Sequence, residues 1–434
     1  MKKSSKKNFQ TVRGMRDILP SDWPVVDFVF SKVQSLYRSY GFDRIETPIV
    51  EDVGLFQRAV GMETDIVTKE MYSWVDQGDE RLALRPEGTA GVVRAYIEHG
   101  MLNLPQPVKL WYWGQMFRRE RPQAGRYRQF WQFGCEVLGS DQPVADAELI
   151  IMMYRLFEEL GLAIKVKVNS LGSEQCRASY RRALTNYFKS VVSKLNAEQK
   201  ETLSHNPLRL LDSRDPNVIA LKEGAPQIID YLNEDCREHF LKVVDYLDDL
   251  DIPYQLDYTL VRGLDYYNQT VFEFVLVDEQ GNESLALGGG GRYDKLVEEL
   301  GGRPTPAVGY AMGVERIINI MRERKIDIPM PPVPDVFLAQ LGDEARKKSL
   351  KLFEELRRIG VNVSQSFGKE GIKQQMEVAN KRGVKFTLIL GQKEIMDGTI
   401  LIRDMENGIQ EVIDFNKIVG EVQKRLSKVN GNGQ

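Results

Sequence analysis

Two runs, VKLWYWGQMF (108–117) and RQFWQFGCEVL (128–138), are dense in aromatic and apolar residues, and the arginine-rich stretch Arg119 to Tyr127 joins them. Such runs read as strands. The chain should therefore contain a long antiparallel pair whose connection far exceeds a tight turn, a kind of loop that commonly carries function. In and beside it, Arg118, Arg119, Arg121, Arg126 and Arg128 stand near one acid, Glu120. Exposed ion pairs, worth about 0–1 kcal/mol each, would account for one or two of these arginines. Guanidinium forks match phosphate oxygens two at a time, so the loop points to a polyphosphate or a nucleic-acid backbone. Gln123-Ala124-Gly125 at its tip permits close approach to an RNA end.

Other segments place this pair in a mixed α/β chain. Val25, Phe28, Val29, Val33, Leu36, Tyr37 and Tyr40 recur at helical spacing and end at Gly41. GFDRIETPIVE is extended, and Pro48 confines it to a strand end or an edge. MYSWVDQGDERLALR reads as a hairpin turning at Asp76 to Asp79, and VFEFVLV and SLALGG as another turning at Gly281-Asn282. From 172 to 250 the sequence is helical, charged and poor in glycine, as in an inserted subdomain. AVGYAMGVERIINIM reads as strand into helix. Four prolines between Pro329 and Pro334 form a stiff linker, beyond which a βαβαβ pattern of about 90 residues marks a small α/β domain. At 434 residues, length alone suggests about three domains.

The total charge of -3 gives no global basic field, so a polyanion would meet local patches. Cys135, Cys176 and Cys236 form no CxxC and are odd in number, which argues against a disulfide framework and a zinc site, and for a reducing, cytoplasmic setting. No apolar run is long enough for a membrane span, and the opening lysines read as a solvated tail.

Arg316 lies in an apolar run and needs either an anionic ligand near a helix N-terminus or a buried carboxylate elsewhere. In VRGLDYYNQTVFEF, Tyr266 and Tyr267 would face opposite sides of a regular strand, so only one could line a pocket. Gly288 to Gly291 allow close backbone approach but lack GxGxxG or P-loop spacing. No nucleophile motif appears.

Taken together, these segments resemble the class II aminoacyl-tRNA synthetases over almost the whole chain. YGFDRIETPIVE is similar to the class's first motif, FRRE with RYRQFWQFGCE to its second, and AVGYAMGVERI to its third. LRPEGT (84–89), RGLDYY and GGRYD resemble the more specific signatures of the histidyl-tRNA synthetase family. The resemblance implies an α+β fold: an antiparallel sheet flanked by helices, a helical insertion and a C-terminal α/β anticodon-binding domain. On that plan 1–171 and 251–328 form the catalytic core, 172–250 the insertion, 329–334 the linker, 335–428 the anticodon-binding domain and 429–434 a tail.

By the same resemblance Arg118 holds the ATP α-phosphate, Glu120 the adenine edge, Phe130 stacks on adenine and Arg316 binds the γ-phosphate. Glu87, Thr89 and Gln132 match positions for the substrate α-amino group, Glu136 and Tyr267 those for the imidazole, with Tyr266 beside them, and Arg262 neutralises charge near the α-phosphate. A carboxylate and a phenol can serve the two ring nitrogens together, and polar readout of this kind can reject analogues by ~10⁴ or more. Trp131 departs from the family, where many members have histidine or a smaller residue, but strand alternation turns it from the pocket. The implied reaction makes histidyl-adenylate and pyrophosphate, then transfers the acyl group to tRNA(His). Magnesium arrives with ATP, no dedicated metal site is expected, and a homodimer is implied. The competing resemblance is to a non-catalytic regulatory paralogue serving histidine biosynthesis, which generally lacks the RGLDYY-type segment, key arginines and the anticodon-binding domain.

Arg121 and Gln123 are the expected contacts to the tRNA acceptor end. Arg121→Ala and Gln123→Ala should therefore impair tRNA charging far more than amino-acid activation; equal losses in the two assays would remove that role.

Overall fold

The computed structural model describes residues 9–120, 125–211, 213, 215–278, 280–368 and 371–431. The chain divides into two compact units between Ile328 and Pro329. The first is built on an eight-stranded sheet in the order Asp43–Arg44, Val108–Phe117, Gln129–Leu138, Ala307–Gly313, Glu283–Arg292, Asn268–Val277, Ile164–Ser170, Tyr254–Leu256. Its six inner strands are antiparallel, and the short edge strands pair parallel. The arginine-rich segment thus joins adjacent antiparallel strands, with Val108 opposite Leu138 and Phe117 opposite Gln129.

Alternation sorts each central strand into two faces. Trp111, Trp113, Phe133, Cys135 and Val137 pack under helices Trp23–Ser39 and Pro143–Glu159, whose apolar stripes supply Val29, Val33, Tyr37, Leu149, Met153 and Phe157. Trp131 joins that face, its ring 6.1 Å from Trp113. The opposite face holds Leu110, Tyr112, Met116, Phe130 and Leu138.

The helical stretch after Gly172 does not stand apart as a third compact unit. Leu184, Phe188, Leu203, Leu210 and Val218 share one continuous apolar cluster with Val53, Phe56 and Val93 of the sheet unit. Its last helix, Glu234–Asp249, places Phe240, Val243 and Leu247 in the core beneath the large sheet. A charged helix with one apolar stripe must bury that stripe, and the uncovered sheet was the surface at hand.

One buried ion pair ties this unit together. Arg292, at the end of its strand, and Asp146, on helix Pro143–Glu159, are both fully buried. Arg292 donates to both Asp146 oxygens, to the carbonyls of Ser140 and Gln142, and to Asp294. Burial alone would raise the Asp146 pKa, but Arg292 and His239 beside it hold the carboxyl below its ordinary value. The arginine of GGRYD is therefore a structural residue.

The second unit has a five-stranded sheet ordered Val363–Gln365, Val336–Gln340, Phe386–Leu390, Thr399–Asp404, Gln410–Asp414. The first three strands are parallel, with helices Asp343–Arg358 and Ile372–Lys381 as crossovers, which is the expected βαβαβ order. An antiparallel hairpin and helix Ile418–Gly431 complete it, additions that the sequence reading did not include.

Asp146→Ala would leave the buried Arg292 with Asp294 as its remaining carboxylate partner and should cost up to about 3–5 kcal/mol in urea unfolding. A loss below about 1 kcal/mol would show that the remaining acceptors suffice.

Candidate active site

The site forms where the central strands carry almost no side chains. On the face opposite the helices, Phe130, Gln132, Gly134 and Glu136 alternate along one strand, and Gly309, Ala311 and Gly313 lie opposite Glu136, Gly134 and Gln132 on the next. Gly289 and Gly291 continue the floor beyond Ala311 and Gly309. A Cβ on Gly309 would come within 1.7 Å of Glu136 Oε2, and one on Gly289 within 2.4 Å of the Phe272 carbonyl. Glycine here makes room for a neighbouring carboxyl and for the sheet's own twist and pairing.

One end of the cleft is acidic and buried. The LRPEGT segment leads from strand Arg81–Leu84 into helix Thr89–Glu98, where the Glu87 carboxylate accepts from the backbone N–H of Thr89 at 2.7 Å and of Ala90 at 2.8 Å. It thus caps two free donors at the helix start. Burial pushes its pKa up, against the pull of those bonds. Thr89 Oγ1 donates to Glu136 Oε1 at 2.7 Å, and the Tyr293 hydroxyl donates to Glu136 Oε2. Burial pushes Glu136 up to about 8 despite both bonds. Gln132 Oε1 is buried and has no hydrogen-bond partner, a polar atom suited to a donor such as an ammonium.

The other end is cationic. Arg118 lies with its guanidinium carbon 5.5 Å from the Phe130 ring centre, and its Nε donates to the Pro86 carbonyl at 2.9 Å. Glu120 stands 3.9 Å from Arg118 and 3.4 Å from Arg126. Arg316, in the first turn of helix Val314–Glu323, pairs with no carboxylate among the described residues, Glu315 included: it donates to the Ala286 carbonyl. Burial, then the neighbouring Arg126, lowers its pKa. Glu315 turns to the Trp131 backbone N–H at 3.0 Å, and burial pushes its pKa up to about 7. Between the two ends Arg262 donates to Glu273 Oε1 at 2.9 Å.

Arg118, Glu120, Phe130, Arg316, Arg262, Glu87, Thr89, Gln132, Tyr266 and Tyr267 line this single cleft. Glu136 does not line it but lies fully buried, bonded to Thr89 from behind. Arg121 and Gln123 lie outside the described residues. The expectation that Tyr266 and Tyr267 must face opposite ways fails because the strand begins at Asn268: both tyrosines sit in the preceding turn, ring centres 4.6 Å apart. Arg126, Glu273 and Tyr293 went unassigned in the sequence reading. Arg126 carries the signal of the arginine-rich loop and Tyr293 that of GGRYD, while nothing local marks Glu273.

An antiparallel sheet with this cleft on one face, joined in one chain to a mixed α/β unit, fits the class II aminoacyl-tRNA synthetase plan that the sequence motifs resemble. A family model for histidyl-tRNA synthetase matches residues 14–317, and one for an anticodon binding domain matches 335–425. The histidine–tRNA ligase of Dehalococcoides mccartyi is 43% identical over 419 residues, covering 96% of this chain and 100% of that one. That of Natranaerobius thermophilus is 43% identical over 424 residues, covering 96% and 99%. The crystal structure of apo S. aureus histidyl-tRNA synthetase superposes with a TM-score of 0.79 at 36% identity, covering 96% of this chain and 100% of that one. The chain belongs to the histidyl-tRNA synthetase family.

Glu136 has a consequence for stability. Its folded pKa of about 8 lies above its ordinary 4.5, so the folded state binds the proton more tightly, and its contribution falls as pH rises from about 4.5 through about 8. Glu136→Gln should flatten the loss of thermal stability between pH 6 and 9, removing a slope of at most ~1.4 kcal/mol per pH unit. Parallel melting curves for variant and parent would contradict the buried, protonated carboxyl.

Proposed function

We propose that the cleft binds L-histidine and ATP end to end and that the chain ligates histidine to tRNA(His) through histidyl-adenylate. The observation that carries this reading is the convergence of Arg118, Arg262 and Arg316 beside a buried pocket bounded by Glu87, Gln132 and the two tyrosines. Three cations suit a triphosphate. Buried carboxyls with an unpaired amide oxygen suit an ammonium and an imidazole.

In this arrangement adenine stacks on Phe130 with Glu120 at its edge, Arg118 grips the α-phosphate and Arg316 the γ-phosphate. The α-amino group meets Glu87, Thr89 and Gln132. The imidazole points toward Tyr267, with Tyr266 beside it, and toward Glu136, which needs Thr89 or Tyr293 to yield a hydrogen bond. The histidine carboxylate then attacks the α-phosphorus, pyrophosphate leaves, and Arg262 offsets the charge that builds on the phosphoryl oxygens. A 3′-terminal ribose hydroxyl of the tRNA takes the acyl group and AMP departs. Arg121 and Gln123 are assigned to the acceptor end, and the unit after Pro334 to the anticodon. Magnesium enters with ATP on its phosphates; among the described residues no three His, Cys, Asp or Glu side chains gather as metal ligands.

The three arginines, the RGLDYY segment and the anticodon-binding match at 335–425 favour catalysis over the regulatory paralogue. We further propose a homodimer, as the first motif implies, working in the cytoplasm. Among the described residues no helix is long and apolar enough to cross a membrane.

ATP–pyrophosphate exchange with each of the twenty amino acids, without tRNA, tests the activity: exchange should occur with histidine alone. Arg262→Ala should lower kcat by ~10²–10³, the cost of one preorganised charge-stabilising donor. A chain lacking residues 335–434 should retain exchange while losing most tRNA charging. Exchange with another amino acid would move the chain elsewhere in the class.

A further inference from the structure

The segment from Val261 to Tyr267 carries Arg262 and both pocket tyrosines, yet it is neither helix nor strand. It is also thin. Arg262, Gly263, Leu264 and Tyr267 line the catalytic cleft on one side and, on the other, a second cleft bounded by Arg177, Arg181 and Arg209 of the helical stretch. The rings of Tyr266 and Tyr267 pack into the core, with Val261 and Leu264 against it, but the backbone between two clefts takes its register from a few directed bonds.

Besides the side-chain bond from Arg262 to Glu273, three bonds among the described residues hold the backbone of the segment or the carbonyl just before it. Asn169 Nδ2 donates to the Leu260 carbonyl at 2.9 Å, the Asp265 N–H donates to the Val60 carbonyl at 3.2 Å, and Arg177 Nη1 donates to the Tyr267 carbonyl at 2.9 Å. The first lies just outside the segment and the second reaches its middle. Only the third fixes the residue expected to read the substrate ring. Arg177 donates to a backbone carbonyl as Arg118 and Arg316 do. It is largely shielded from water, and that burial lowers its pKa. Carboxylates of Glu174 and Asp265 act on it electrostatically, yet no ion pair claims it among the described residues. A charged donor on a neutral acceptor makes a stronger bond than a neutral one. Its helix, Glu174–Ser190, is anchored by its own start, where Ser173 caps the Cys176 N–H at 3.3 Å.

We infer that Arg177 is a positioning residue for the amino-acid pocket: from the far side of the wall it holds the Tyr267 backbone, and so the Tyr266–Tyr267 pair, in the register that accepts the substrate side chain. This rests on the proposed histidine-activating function and extends it to a residue outside the cleft. Arg177 does not line the catalytic cleft. Its effect should therefore fall on histidine binding, with ATP binding and chemistry spared.

The test is steady-state ATP–pyrophosphate exchange with the full chain and its Arg177→Ala, Arg177→Lys and Arg181→Ala variants. Arg181 lies on the same helix, is exposed and, among the described residues, makes no bond to the wall like that of Arg177. Arg177→Ala should raise the KM for histidine about tenfold or more, the scale of one charge-assisted hydrogen bond, while kcat and the KM for ATP stay within about twofold. Arg177→Lys, which keeps a charged donor, should recover much of the loss, and Arg181→Ala should match the parent. If Arg177→Ala leaves the histidine KM unchanged, or lowers the melting temperature and kcat with no selective change in that KM, the positioning role is overturned. If lysine rescues nothing although the variant is folded, the bond to Tyr267 is overturned as the cause. Failure of the parent itself to exchange with histidine would instead overturn the activity reading, and this inference with it.

Discussion

The pairing of strand Gln129–Leu138 with strand Ala307–Gly313 is the constraint on which the molecule depends. Its register sets Gly309 against Glu136, Ala311 against Gly134 and Gly313 against Gln132, so one face of the sheet centre is bare and the other is filled by Tyr310, Cys135, Phe133 and Met312. A sheet must bury at least one face, and helices Trp23–Ser39, Pro143–Glu159 and Glu234–Asp249 cover the filled one. The bare face cannot be packed by its own side chains. It becomes the cleft, and its depth lets a carboxyl such as Glu136 sit without water.

Charge separation within the cleft follows from that geometry. Near the sheet floor Glu87 and Glu136 are surrounded by protein, and their proton affinities rise; toward the loop Arg118, Arg126 and Arg316 crowd one another. Neither end is satisfied internally as well as Arg292 and Asp146 are, each of which finds its opposite in a fully buried pair. The contrast separates a structural ion pair from a binding site. The first closes its own electrostatics, and the second leaves groups poised for ions of the other sign.

Much of the fold was legible because it rests on local periodicity. The helix read from Val25 to Tyr40 is Trp23–Ser39, and the two aromatic runs are strands Val108–Phe117 and Gln129–Leu138. The hairpin at Asp76 to Asp79 forms with Val75 opposite Arg81, its turn tied by Asp76 accepting from Gly78 at 2.8 Å. Each depends on residues within a turn or a strand length of one another, where side-chain spacing dictates which face meets water. Most of the charged and aromatic residues that line the cleft follow from motif resemblance, Arg126 and Glu273 excepted, and alternation alone places Trp131 away from it.

What periodicity could not reach was anything that depends on residues distant in the chain or on irregular backbone. Tyr266 and Tyr267 share one pocket because a turn, and not a strand, carries them, and the alternation rule holds only inside regular strands. Helix Glu234–Asp249 reads as part of a charged insertion, yet its apolar stripe closes the main core. Arg292 follows four glycines that suggest a ligand loop, and only the approach of Asp146 from 146 residues away makes it a buried structural cation. Sequence by itself determined the strands, the helices, the arginine-rich loop and the family, since these are written in local pattern and residue identity. Tertiary structure decided which charges are paired, which are left for a substrate, and which residue outside the cleft holds its wall, because pairing and burial are properties of positions in space.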